Sequence, residues 1–420
     1  MELTEAQEEI LDGRRGPFLA RCMRWLVEWG EAMGARRLVA VTNTHALVTV
    51  PGNLVAGAGP EALDRSLKLL RTACRYRPCC PTTAHITFAH EEQYEEIQMP
   101  AEQVAAQQEL MQLAARAGYL MTYTCAPYLV GNVPVKGEVC AWTESSAVVY
   151  ANSILGARTT RHGTESALAA ALTGYVPEFG VLLDANRRAT LQVDVNVTLR
   201  SPTDWGALGY FAGQQAGLEI PVFTRTGRPS QDEAKQLCAA LASGGGVTMC
   251  HILGVTPEAP TWEAATGGKP PQRCVTFGPS QLRATYGQLR TQTARQIDTV
   301  ILGCPHASLQ EVAHIALGLQ GRRIAAGVRL WIAMAHPTRA AAERFGYARL
   351  IRQAGGYLFI DSCPTNSMRV RASRILTNGF KQAHYARNMI GAEVIVDDLE
   401  GCLQAACRGT WIDSALSKHH

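Results

Sequence analysis

Residues 299–312 read "TVILGCPHASLQEV". Thr299 to Leu302 form a short β-branched and apolar run, Gly303 ends it, and Cys304 and Pro305 take the turn. Ser308, with Glu311 three residues later, then makes a capping box that opens the amphipathic helix "SLQEVAHIALGL" over 308–319. Strand, turn and helix in immediate succession predict an open α/β sheet. Two other stretches share the pattern: "GYLMTYTCAPYLVGN" (118–132) runs into Cys125 and Pro127, and "GGYLFIDSCPTNS" (355–367) runs into Cys363 and Pro364. A helix is expected before each strand. "PAEQVAAQQELMQLAARAG" (100–118) has Pro100 in its first turn and Gly118 as its stop, "YGQLRTQTARQI" (286–297) leads into "DTVIL", and "AAAERFGYARLIRQAGG" (340–356) leads into "YLFID". Ligands of α/β sheets bind beyond the carboxyl ends of the strands, where loops and helix N-termini offer unpaired N–H groups. All three cysteines are expected at that edge.

Bulk properties narrow the class. A chain of 420 residues, 47% hydrophobic and 18% charged, has the composition of an ordinary globular protein and length for roughly two or three domain-sized units. The net charge of +4 is small and the basic residues are scattered, which argues against a nucleic-acid groove and a polybasic membrane patch. No apolar run approaches the ~20 residues of a membrane span. The start, "MELTEAQEEILDG", is acidic and helical, with Thr4 and Gln7 as a capping box, and is not a signal peptide. Thirteen cysteines, an odd number without an export signal, suit a reducing cytoplasm rather than a disulfide framework. The clearest loop is "TPEAPTWEAATGGKPPQRC" (256–274), taken as a lobe boundary. Joints near 130 and 280 divide the chain into expected lobes 1–130, 131–280 and 281–415. The terminal His419 and His420 read as remnants of a purification tag.

A single cysteine is most often a small buried hydrophobe. Three in one structural context suit an iron–sulfur cluster with one iron left open, or a mononuclear metal with open positions. The rival set, Cys74, Cys79, Cys80 and His85 in "CRYRPCCPTTAH", reads as structural, because adjacent cysteines on an extended chain point to opposite sides. "ASGGGV" (242–247) reads as a loop and not as a phosphate cradle. His45, His251 and His306 fall near strand ends, where a satisfied buried histidine is the usual case; His306 stands out by following Cys304 by two residues.

The stretch "TCAPYLVGNVPVKGEVCAWTESSAVVYANSILGARTTRHG" (124–163) resembles the signature of aconitase X, a family of the aconitase superfamily. The resemblance continues in order through "DWGALGYFAG", "HILGVTPEAP", "LGCPHASLQE", "DSCPTNS" and "TNGFKQAHYA", over nearly the whole chain. It implies an aconitase-like three-lobed α/β architecture with an iron centre at the strand C-terminal ends, held by Cys125, Cys304 and Cys363. The centre would be an iron–sulfur cluster (2Fe-2S, 3Fe-4S or 4Fe-4S) or mononuclear iron. It also implies an iron-dependent hydro-lyase that dehydrates a small hydroxy acid: cis-3-hydroxy-L-proline first, mevalonate 5-phosphate as the alternative. A scaffold or sensor subunit without turnover is the reading from another class.

The family's base resembles a serine alkoxide in a small swivelling domain with a Gly-Arg-Gly-Ser-Ser-type segment, and these 420 residues contain no such segment. The chain is therefore expected to be a large subunit, catalytic only with a small subunit that supplies the serine. By position in the motifs, Glu144 and Lys381 are the candidate catalytic residues, and Thr82, Thr83, Ser145, Ser146, Asn152, Arg158 and His306 the candidate substrate-binding ones. Three departures bear on substrate identity. "GARTTRHG" stands where the family reads "GARTNREG", which introduces Thr160 and His162; "PTTAHI" replaces "PTTLNP"; and the segment after Cys363 lacks the expected apolar pattern.

Overall fold

The computed structural model describes residues 1–49, 59–87, 92, 101–291, 295–367 and 372–413. Pro100, residues 368–371 of the segment after Cys363, and His419 and His420 lie outside them. The first part of the chain contributes β1 (Leu38–Ala40), β2 (Asn43–Ala46), β3 (Thr82–Ala84), β4 (Cys140–Trp142) and β5 (Tyr175–Pro177). β1 and β5 pair antiparallel, while the other three form a parallel sheet in the order β3-β2-β4. The middle contributes β6 (Leu191–Val195), β7 (Pro221–Thr224), β8 (His251–Ile252) and β9 (Arg273–Phe277), all parallel in the order β8-β7-β6-β9. The last part contributes β10 (Thr299–Leu302), β11 (Arg329–Met334), β12 (Tyr357–Ile360), β13 (Arg374–Thr377) and β14 (Glu393–Val396), parallel in the order β12-β11-β10-β13-β14. The protein is thus α/β, as the 299–312 segment predicts.

The five-stranded sheet is covered on both faces, which is why its strands read as unbroken apolar runs. Ile301, Trp331 and Phe359 pack into one core, and their neighbours Val300, Leu302, Ile332, Leu358 and Ile360 into another. That is the two-residue period of a pleated strand. Helices Pro202–Ala216 and Gln231–Gly244 pack backbone to backbone: a Cβ on Gly209 would overlap the Leu237 carbonyl oxygen. No helix among the described residues is long and apolar enough to cross a membrane.

Several local expectations need correction. Residues 118–124 make only one parallel bridge, Thr83 with Leu120, because Tyr123 turns to φ 40° and leaves the extended region. The helix expected over 286–297 is instead the end of Pro279–Gln288. The one over 340–356 is two helices, His336–Arg344 and Tyr347–Ala354, hinged at Gly346. Loop 256–274 contains helix Trp262–Thr266 and joins β8 to β9, so it separates no two sheets. In "ASGGGV" the first three residues are the last turn of a helix, and Gly244 and Gly245 lie against the backbone of Tyr210 and Gly213. Close packing, not a loop, is what those glycines serve.

Candidate active site and metal centre

Residues just beyond the carboxyl ends of β3, β4, β10, β12 and β13 line one cavity of about 320 Å³. Cys304 follows β10 and Cys363 follows β12, two parallel strands of one sheet, so both thiols emerge at the same edge. Cys125 reaches the cavity from the first part of the chain. A left-handed residue precedes each cysteine by one or two positions: Tyr123 (φ 40°), Gly303 (φ 84°) and Asp361 (φ 62°). Only glycine serves at 303, where a Cβ would overlap the Ala333 carbonyl oxygen. The Asp361 carboxylate accepts from the His336 N–H at 2.7 Å.

Glu144 organises the polar part of the lining. It is the N-cap of helix Ser145–Tyr150, accepting from the Ser146 N–H at 3.1 Å and the Ser146 Oγ at 2.9 Å. Lys381, in the first turn of helix Phe380–Ile390, forms an ion pair with Glu144 and donates to Ser146 Oγ at 3.1 Å. His85 Nε2 lies 3.1 Å from the other Glu144 oxygen. Burial opposes ionisation of Glu144, but the Lys381 ammonium and the His85 bond outweigh it and hold the carboxyl well below its usual range. The same pairing more than offsets burial at Lys381 and raises it. A carboxylate can only accept, so His85 carries its proton on Nε2.

Burial favours the protonated thiol at Cys125 and Cys304. Burial, with Glu144 adding to it, pushes Cys125 up to about 12, despite opposition from Lys381 and the His306 N–H; burial also holds Cys304 well above the ordinary thiol range. Among the described residues no group of three His, Cys, Asp or Glu is arranged to hold one metal ion. The donor chemistry nevertheless fits iron or an iron–sulfur cluster, because three thiols line one cavity and the His306 N–H already donates to Cys125 Sγ at 3.2 Å. A bound cation is what converts such thiols to thiolates.

Of the residues singled out in the sequence, Cys125, Cys304, Cys363, Glu144, Ser145 and Lys381 line this cavity, and Ser146 lies directly behind Glu144. Thr82, Thr83, Asn152 and Arg158 do not. Thr82 is buried on Thr44 Oγ1 (2.7 Å), and Thr83 joins His45 and Asn132 (2.9 Å each). Asn152 ties the Thr159 and Thr248 carbonyls, at 2.8 and 3.0 Å. Arg158 pairs with Asp184 and caps the Leu182 carbonyl at 2.7 Å. His306 is buried behind the cysteines, and burial pushes its imidazole down to about 4. The cavity also contains residues that sequence reading passed over: His85, Thr365, Gln382 and Tyr385. His85 was grouped with Cys79 and Cys80, whereas Cys79 donates to the Leu172 carbonyl at 3.0 Å, away from it. The available signal was the "PTTAHI" departure itself.

A larger cavity, about 380 Å³, opens where the first turns of helices starting at Pro202, Gln231, Leu309 and Leu399 meet. Four of its six carboxylates, Asp204, Glu233, Glu311 and Asp398, each accept from a backbone N–H at their own helix start, while Asp232 pairs with Lys235 and Glu400 with Arg322. All six are taken up by helix caps or ion pairs, so chemistry rather than size selects the cysteine-lined cavity.

Comparison with known proteins agrees. Sequence models of the aconitase X first, second and third domains match residues 1–185, 189–287 and 297–408. The phosphomevalonate dehydratase large subunit of Methanothermobacter thermautotrophicus is 36% identical over 94% of this chain and 96% of its own. The cis-3-hydroxy-L-proline dehydratase of Hypocrea jecorina is 32% identical over 97% of this chain and 69% of its own. Both relatives are named dehydratases, which are hydro-lyases, and the name large subunit implies a small one. The crystal structure of Thermococcus kodakaraensis aconitase X, holo-form, superposes with a TM-score of 0.85 at 32% identity, covering 97% of this chain and 100% of that one. With matches of this extent joined to cysteines meeting in one cavity, the chain belongs to the aconitase X family.

Proposed function

We propose that this chain is the large subunit of a hydro-lyase that dehydrates a small hydroxy acid, with iron held by Cys125, Cys304 and Cys363. The observation that carries the reading is the meeting of these three thiols with the ionised Glu144–Lys381 pair in one cavity. Iron, mononuclear or in a cluster, supplies a Lewis acid for the departing hydroxyl. Lys381 has three N–H donors; Glu144 and Ser146 use two, and the third has no hydrogen-bond acceptor among the described residues, which leaves it for a substrate carboxylate. His85 lines the same cavity and donates from Nε2 to Glu144. A serine on a small subunit takes the proton from the adjacent carbon.

The Glu144 carboxylate in the cavity lining suits the ring nitrogen of cis-3-hydroxy-L-proline, which is the first substrate proposed. Mevalonate 5-phosphate is the second. It is favoured by the near-complete length match to the phosphomevalonate dehydratase large subunit. The test is an anaerobic screen of hydroxyproline isomers, mevalonate 5-phosphate and simple hydroxy acids, using the chain reconstituted with iron and a small subunit. Water loss from one of these is expected, together with loss of iron in the Cys125→Ala, Cys304→Ala and Cys363→Ala variants. Full iron content in all three variants, or no dehydration of any acid, would defeat the proposal.

A further inference from the structure

We infer that His306 is the positioning residue that sets the spacing of the three cysteines, a role that rests on their reading as iron ligands. It is buried, yet every polar atom it has reaches one of the cysteine segments or their support. Its backbone N–H donates to Cys125 Sγ at 3.2 Å. Its Nδ1 lies 3.2 Å from the hydroxyl of Thr124, the residue before Cys125, and its Nε2 lies 2.9 Å from the carbonyl of Ser362, the residue before Cys363. His306 itself is two residues from Cys304, and its carbonyl accepts from the buried Lys235 ammonium at 3.2 Å.

The direction of every bond in this set is determined. A carbonyl only accepts, so the ring proton is on Nε2 and Nδ1 must accept from Thr124. The Thr124 hydroxyl can give that proton, because its oxygen in turn accepts the Ala126 N–H at 3.0 Å. One imidazole therefore joins three segments that are far apart in sequence. Lys235 fixes it from behind: its ammonium also pairs with Glu311, whose carboxylate accepts the Ser308 N–H at 2.9 Å. Groups that orient metal ligands in this way change metal affinity about 10–100-fold when removed.

The test reads iron, not turnover. His306→Asn keeps a group near Thr124 and loses the Ser362 bond, Thr124→Val removes the other bond without touching the histidine, and His306→Gln restores an N–H towards Ser362. His251→Asn is the control, a buried histidine on the Arg187 carbonyl (2.7 Å) outside the cavity. The anaerobically loaded proteins are mixed with a ferrous chelator, and iron transfer and the thiolate-to-iron absorption are followed. Transfer about 10–100-fold faster with a shifted absorption band is expected in His306→Asn and Thr124→Val, with partial recovery in His306→Gln and no change in His251→Asn. Should His306→Asn not fold, Thr124→Val still decides. Rates within about twofold of the parent in both variants, or an equal change in the control, would overturn the inference. A loaded pair that dehydrates nothing would overturn only the proposed reaction, whereas a chain that takes up no iron would overturn both.

Discussion

Glu144 and Lys381 neutralise each other in the cavity wall, at side-chain exposures of 12% and 8%. Lys381→Met would leave a buried carboxylate with His85 as its remaining strong partner. The expected cost is about 3 kcal/mol, read from urea denaturation, the low end for breaking a buried pair because His85 still donates. A loss under about 1 kcal/mol would mean that water already reaches Glu144. His162, one of the departures from the family pattern, is buried with Nε2 on Thr160 Oγ1 at 3.1 Å, and burial alone pushes its imidazole down to about 3. The unfolded chain has an ordinary histidine near 6.5. Above about 6.5 neither state binds the proton. Below it the unfolded chain binds a proton that the folded one refuses, so stability falls as pH drops from about 6.5 towards 3. Thermal midpoints of the wild type and His162→Gln, measured between about pH 6 and pH 4, should diverge, the variant having the shallower slope; parallel lines would remove His162 from the account.

At the scale of elements, signals confined to a few neighbours were legible. The capping box of Ser308 and Glu311 starts the helix it was expected to start, with Glu311 N–H on Ser308 Oγ at 3.0 Å. β10 and β12 are where the apolar runs put them. The strand before Cys125 failed, because the same apolar composition there leads into a left-handed residue, and a hydrophobic pattern has no mark for that. The glycines of the close helix pair were misread for a related reason: Gly in sequence signals either a turn or a close approach, and only the partner helix decides which. Gly209→Ala is expected to force that pair apart and cost about 1–3 kcal/mol, in the range of overpacked cores, measured by chemical denaturation. An unchanged midpoint would show that the helices have slack.

At the scale of the whole molecule, the cavity takes residues from two sheets, and the proton acceptor proposed above is a serine on a small subunit. The chain loaded with iron but without a small subunit is therefore expected to show no more than about a hundredth of the turnover of the pair, since general-base catalysis contributes about 10²–10⁴-fold. Rates comparable to the pair would put the base in this chain, with His85 the first to examine.

The sequence by itself determined the α/β class, the three cysteines as a set and the family. Those follow from runs of residues next to one another, strand then turn then helix, and from motifs kept in order along the chain. What only the tertiary structure decided is who stands beside whom. Arg158 and Asn152 sit inside the longest matching motif, yet they are occupied by Asp184 and by the Thr159 and Thr248 carbonyls. His85, assigned to another cluster by its nearness in sequence, belongs to Glu144, 59 residues away. His306 was singled out for its distance from Cys304 along the chain, but its partners Thr124 and Ser362 lie 182 and 56 residues off. Side chains meet across loops whose closure cost grows only slowly with length, so nearness along the chain carries little information about nearness in the folded site.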